Sequence, residues 1–144
     1  LPSQPCTLFA VAASVGSGTM QRRVTDGGTS NTRVIYVPTS STDTMRIHAG
    51  ADLANTGWSA STLLVHSAVF NGASSVNGIN GTETTGGAGS SNSAGITLGA
   101  AGDKVSHFWN GPICEMVVYS SALGASDRST VVRYMGARYG ITVA

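Results

Sequence analysis

Along residues 6–119 the apolar side chains fall into runs of strand length, and each run is stopped by glycine, asparagine, serine or proline. The candidate strands are residues 6–13, 33–37 (ended by Pro38), 44–49, 61–70, 74–80, 95–98 and 113–119. The gaps between them are too short for crossover helices, which excludes a parallel α/β sheet and predicts an antiparallel β-sandwich of jelly-roll type. Composition agrees. The 144 residues include 19 Gly, 19 Ser and 16 Thr, which disfavours long helices, while the 41% that are hydrophobic suffice for a core and argue against disorder. A chain of this length is read as one domain, 1–144. It starts at Leu1 rather than Met, so it is expected to be a processed product or a fragment of a longer chain.

Individual segments refine that picture. Residues 6–13 alternate Leu8, Ala10 and Ala12 with Thr7, Phe9 and Val11, as a strand covered on both sides requires. Asn80-Gly81-Thr82 fits a glycosylation acceptor but is read as a hairpin turn. Residues 82–94 are almost all small and polar and are expected to form an exposed flexible loop or a long hairpin tip. One segment breaks the strand pattern: over residues 125–138, Val131, Tyr134, Met135 and the Arg138-Tyr139 pair recur at helical spacing. They predict one amphipathic helix with a buried stripe, capped by Gly140 and followed by a short closing strand at 141–143. Arg22 and Arg23 read as a solvated turn or hairpin edge. Cys6 and Cys114 read as two buried free thiols rather than a bridge.

Several function classes lack their chemistry. A net charge of +1 provides no footprint for a phosphate backbone, so nucleic acid is not an expected partner. No stretch approaches the roughly 18 apolar residues that span a bilayer, so no membrane insertion is expected. Lys104 is the only lysine and follows no phosphate-cradling glycine loop. His48, His66 and His107 accompany no nucleophile elbow and no Cys/His pairing signal. The chain is therefore read as not an enzyme.

The segment from Gly111 to Ile141 resembles the C-terminal signature of the concanavalin A-like lectin/glucanase superfamily, in its laminin G-like and pentraxin-like branch. Gly111, Ile113, Glu115, Val118, Tyr119, Leu123, Tyr134, Met135, Arg138, Tyr139 and Gly140 occupy the places of that signature. Upstream, QPCTLFAVA is similar to the family's early strand, and Trp58 through FNGASSVNGING to its central hairpin. The family often places Ser or Asp where Gly124 stands. Its usual opening strand is reduced here to residues 1–3, so the sandwich is expected to be completed by a neighbouring chain or an upstream segment. Glucanases of the superfamily carry a Glu-x-Asp-x-x-Glu strand; this chain has only Glu83 and Glu115, far apart, so glycoside hydrolysis is not expected.

The resemblance implies a non-catalytic binding or structural module at a virion surface or in an extracellular setting. It would meet a glycan or a neighbouring structural protein through exposed loops, with homo-oligomerisation or virion assembly as further modes. The alternatives are a capsid or tail decoration protein without sugar binding, and a lectin-like domain appended to a polysaccharide-active enzyme. Sugar binding needs an aromatic platform beside amide and carboxylate groups, and the candidates are Trp58, Trp109, Asn110 and Tyr36. Both tryptophans also suit the plugged end of a sandwich. Relatives in this branch often hold calcium; Asp26, Asp43 and Asp103 are the candidate ligands, with Asp52, Asn31 or Asn110 as further oxygens, although isolated turn Asp and Asn usually make local turns.

Overall fold

The computed structural model describes residues 2–14, 22–28, 33–38, 44–92 and 95–144. In chain order the strands are β1 (Cys6–Ala12), β2 (Arg22–Asp26), β3 (Val34–Val37), β4 (Met45–His48), β5 (Asp52–Asn55), β6 (Leu64–Phe70), β7 (Ser75–Ile79), β8 (Thr82–Gly86), β9 (Thr97–Leu98) and β10 (Ile113–Tyr119); one helix, α1 (Ala125–Tyr139), follows. They form two five-stranded antiparallel sheets, the first in the order β10-β1-β6-β7-β8 and the second β5-β4-β3-β2-β9. This is the expected all-β sandwich with one C-terminal helix.

Period-two alternation builds both sides of the first sheet. Cys6, Leu8, Ala10 and Ala12 of β1 face the second sheet and meet Val24, Ile35, Met45, Ile47 and Phe70 in the main core. Phe9 and Val11 face outward, where they join Val65, Val132 and Met135 in a second core beneath α1. Fully burying each large aliphatic or aromatic side chain contributes about 1.5–3 kcal/mol, so the helix is held by its packing rather than by its own propensity. Thr7 ties the layers further: its hydroxyl donates to the Ser121 carbonyl at 2.8 Å and accepts from the Leu123 amide at 3.0 Å.

A polar pin crosses the main core. Asn77 of β7 donates through Nδ2 to the carbonyls of Met45 (3.0 Å) and Leu53 (2.8 Å) on the opposite sheet, and its Oδ1 lies 2.8 Å from His66 Nε2. Asn55 returns the connection by donating to the Asn77 carbonyl at 2.8 Å. These bonds set the relative position of the sheets where apolar contact alone permits sliding.

Several segments differ from expectation. Arg22 and Arg23 do not form a solvated turn. They lie in β2, where Arg23 is 3% exposed and pairs with Asp26, and Arg22 Nη1 donates to Ser14 Oγ at 2.9 Å. β5 and β8 were hidden by their polar composition. β8 is an edge strand joined to β7 by the foreseen Asn80-Gly81 turn, whose φ values of 50° and 89° suit a tight hairpin. Residues 87–92 are not a freely solvated loop: Ala88 is fully buried and its carbonyl accepts from the amides of Ala49 and Ala51. Residues 95–98 shrink to the two-residue β9. On α1 the buried side chains are Arg128, Val132 and Met135, and Tyr134 is 57% exposed. Residues 141–143 form no strand; Ile141 and Val143 pack on the second core, and the Ala144 amide bonds to the Asn80 carbonyl. Both thiols are free, but Cys114 is exposed, since it lies on the edge strand β10. No helix among the described residues is long and apolar enough to cross a membrane.

Candidate functional site

The outer face of the second sheet gathers polar side chains because β4 alternates strictly. Met45 and Ile47 enter the core, so Arg46 and His48 point outward, and the register sets Tyr36 opposite Arg46 and Asp52 opposite His48. In β5, Leu53 and Asn55 turn inward and leave Asp52 and Ala54 outside. The turn from β4 to β5 depends on Gly50, at φ +109°, where a side chain is disfavoured and a Cβ would lie 3.2 Å from Ser91 Oγ. Behind it, Gly89 (φ +89°) lets the 87–91 segment approach so closely that a Cβ there would lie 2.2 Å from the Ala49 carbonyl oxygen.

Asp52 is the hub of this face. Its Oδ2 accepts from Tyr36 Oη at 2.8 Å and Arg46 Nη1 at 3.0 Å, and its Oδ1 lies 2.7 Å from His48 Nδ1. Partial burial works to raise the Asp52 pKa, but the hydrogen bonds from His48, Tyr36 and Arg46 outweigh it and hold the carboxyl below its usual range. Burial, then the bond to Asp52, pushes the Tyr36 phenol up, so it stays a neutral donor. Arg46 is held above its ordinary value: burial opposes the charge, and the bonds to Asp52 and Tyr36 overcome that opposition. The Arg46 and Asp52 side chains are each 37% exposed, Tyr36 is buried, and His48 lies between. The arrangement offers a fixed cation and an imidazole beside the exposed Ala54, a set that can bind an anionic or hydroxyl-rich group.

The other candidates are dispersed. Trp58 is 3% exposed in the main core and meets Trp109 edge-on at 5.9 Å between ring centroids, so this pair plugs the sandwich and Trp58 presents no ring to solvent. Trp109 is partly buried against the same core and donates through Nε1 to the Pro112 carbonyl at 3.3 Å; Asn110 is exposed beside it. The reason is apolar area: two indoles at the mouth of a sandwich gain more from burial than from waiting for a sugar.

Of the proposed calcium ligands, Asp26 and Asp103 are each engaged elsewhere. Asp26 is fully buried, pairs with Arg23 and accepts from the amides of Gly27 (2.7 Å) and Gly102 (2.9 Å). Asp103 closes its own turn by accepting from the amides of Val105 and Ser106 and the Ser106 hydroxyl; that hydroxyl first, and then the Val105 amide, holds its carboxyl below the ordinary value. Asp43 and Asn31 lie outside the described residues. Among the described residues no group of three or more His, Cys, Asp or Glu side chains is placed to hold a metal ion. Glu83 is gripped by Arg128 through two bonds of 2.7 and 2.6 Å, and Glu115 lies 3.4 Å from Arg138.

Of the four residues in the Asp52 cluster, Tyr36 and Asp52 stand out separately in the sequence, whereas Arg46 and His48 carry no such mark there. The signal was present in Met-Arg-Ile-His itself, where two core residues alternate with two polar ones on the face that carries Tyr36.

No family model and no curated protein matches the chain. Solved structures do. The carbohydrate-binding domain CBM40 of the Ruminococcus gnavus IT-sialidase, bound to α2,3-sialyllactose, matches at TM-score 0.68 and 13% identity over 91% of this chain and 84% of that one. The native heptameric SAP-like pentraxin of Limulus polyphemus matches at 0.69 and 16%, covering 92% of this chain and 71% of that one. Trypanosoma rangeli sialidase in complex with the inhibitor DANA matches at 0.68 and 12%; 88% of this chain corresponds to only 22% of the sialidase chain. Identities this low bear on architecture, and the architecture agrees with the strand order and outer helix: a concanavalin A-like jelly-roll sandwich.

Proposed function

We propose that the chain is a non-catalytic module that holds a glycan on the outer face of its second sheet, at Arg46, His48, Tyr36 and Asp52. The observation that carries this reading is the polar cluster on the open half of that sheet. It is built at the cost of a partly exposed ion pair and lies outside both apolar cores. Two further features support it. Among the described residues, Glu83, Asp26 and Asp103 are each held by structural partners and Glu115 lies 3.4 Å from Arg138. The similarly folded Ruminococcus domain is a carbohydrate-binding one whose bound sugar is sialylated, and the Arg46 guanidinium suits such a carboxylate. In this reading the module works at a virion or cell surface, as the sequence resemblance implies.

Calorimetric titration with 3′-sialyllactose, glucuronate and lactose tests the proposal. The wild-type chain binds at least one acidic sugar more tightly than lactose, and Arg46→Ala removes that preference without lowering the thermal midpoint by more than a few degrees. Absence of binding to every member of a broad glycan array sinks the reading in favour of an assembly module.

A further inference from the structure

The three donors on one carboxylate determine more than its charge. Asp52 Oδ1 and Oδ2 together receive His48 Nδ1, Tyr36 Oη and Arg46 Nη1. An ionised carboxylate only accepts hydrogen bonds, so the ring nitrogen that faces it must carry the proton. A neutral imidazole holds one N–H, and His48 Nε2 is then left as a bare acceptor. Among the described residues that atom has no hydrogen-bond partner. Arg46 is likewise fixed at one corner: Nη1 is bound to Asp52, Nε is enclosed without an acceptor among the described residues, and the side chain remains 37% exposed. With the ring neutral, the face presents a cationic donor beside an acceptor, both oriented by the same residue.

We infer that Asp52 is a positioning residue that does not touch the ligand: it fixes His48 as the Nδ1–H tautomer and holds Arg46, so the face reads an anionic group next to a hydroxyl that donates to His48 Nε2. This rests on the glycan reading above and narrows it. The preferred ligand is a sugar whose carboxylate stands close to a free hydroxyl. A sulfated or phosphorylated sugar lacking that hydroxyl forfeits one of the two contacts, and a neutral sugar forfeits the other. The alternative tautomer would present a second donor and suit a different pattern of acceptors.

Two measurements on the same samples decide it. Long-range 15N–1H correlation spectra at about pH 8, above the ordinary imidazole pKa of about 6.5, report which nitrogen of His48 is protonated with no ligand present. Titration with 3′-sialyllactose then gives affinities for the wild type, Asp52→Ala and Asp52→Glu. The wild type shows protonated Nδ1 and bare Nε2. Asp52→Ala shifts the ring toward Nε2–H and weakens binding at least about tenfold, the loss of one directed hydrogen bond to a charged or oriented partner. Asp52→Glu, which restores an acceptor, recovers much of both. A wild-type His48 found as Nε2–H overturns the inference, as does an Asp52→Ala protein with unchanged tautomer or unchanged affinity. If the tautomer behaves as stated and no variant, wild type included, binds the sugar, the glycan reading fails while the role of Asp52 toward His48 stands.

Discussion

His66 lies wholly inside the main core, and its burial lowers its pKa from 6.5 to about 4 despite the hydrogen bond it donates to Asn77 Oδ1, which works in the opposite direction. The geometry explains the sign. Nε2 meets Asn77 Oδ1, whereas Nδ1 is enclosed with no acceptor, so a second proton on the ring would have neither water nor a partner. Between the two pKa values the unfolded chain binds a proton that the folded chain refuses; unfolding therefore takes up a proton, and stability falls as pH drops through this window. With these values the loss is ~2 kcal/mol at pH 5 and approaches about 3 kcal/mol near pH 4, below which it levels off. The depressed carboxyl of Asp52 contributes in the opposite range: its stabilisation is full above the ordinary 3.8 and is lost only below it. The window from pH 7 to 5 therefore lies above the range in which Asp52 contributes. Urea unfolding followed by tryptophan fluorescence at a series of pH values, with His66→Gln as the non-titrating control, measures it. The reasoning is refuted if the wild-type midpoint is flat from pH 7 to 5, or if His66→Gln loses as much stability as the wild type over that range.

Other consequences are tested more simply. Trp58→Ala removes a core indole and should cost about 3–5 kcal/mol in urea unfolding; a cost below 1 kcal/mol would mean that the ring does not plug the sandwich. Gly89→Ala places a Cβ against the Ala49 carbonyl at a positive φ, and should destabilise by ~2 kcal/mol or more while loosening the β4–β5 turn, seen as faster hydrogen exchange at Ala49 and Ala51. The Arg128–Glu83 pair is bidentate and mostly shielded, so a double-mutant cycle with Arg128→Met and Glu83→Gln should yield about 1–2 kcal/mol of coupling; a value near zero would show α1 to be held by apolar contacts alone.

The apolar alternation made the sandwich legible, and the parts it missed share a physical cause. β2 carries two arginines in an interior strand, because Asp26 and Ser14 accept from their guanidinium groups and make burial tolerable; a sequence reading sees the charge and not the partners. β8 reads as a soft loop since Thr-Glu-Thr-Thr has no apolar face, yet the Asn80-Gly81 turn delivers it into register with β7 regardless. Tyr134 keeps helical spacing but lies on the solvent side, while Arg128 takes an inward position because Glu83 and the Leu123 carbonyl meet its charge. The site itself was half visible. Tyr36 and Asp52 are conspicuous residue types, whereas Arg46 and His48 become meaningful only once β4 is known to alternate and β5 to pair beside it. Of the two readings open to Trp58, platform or plug, apolar area selects the plug: the ring is 3% exposed in the core.

The most direct test of the account is a backbone and side-chain NMR titration of the wild-type chain with 3′-sialyllactose. The account predicts saturable shifts confined to Tyr36, Arg46, His48, Asp52 and Ala54 on the outer face of the second sheet. Shifts centred instead on Trp109 and Asn110, or none at all at millimolar sugar, would contradict it.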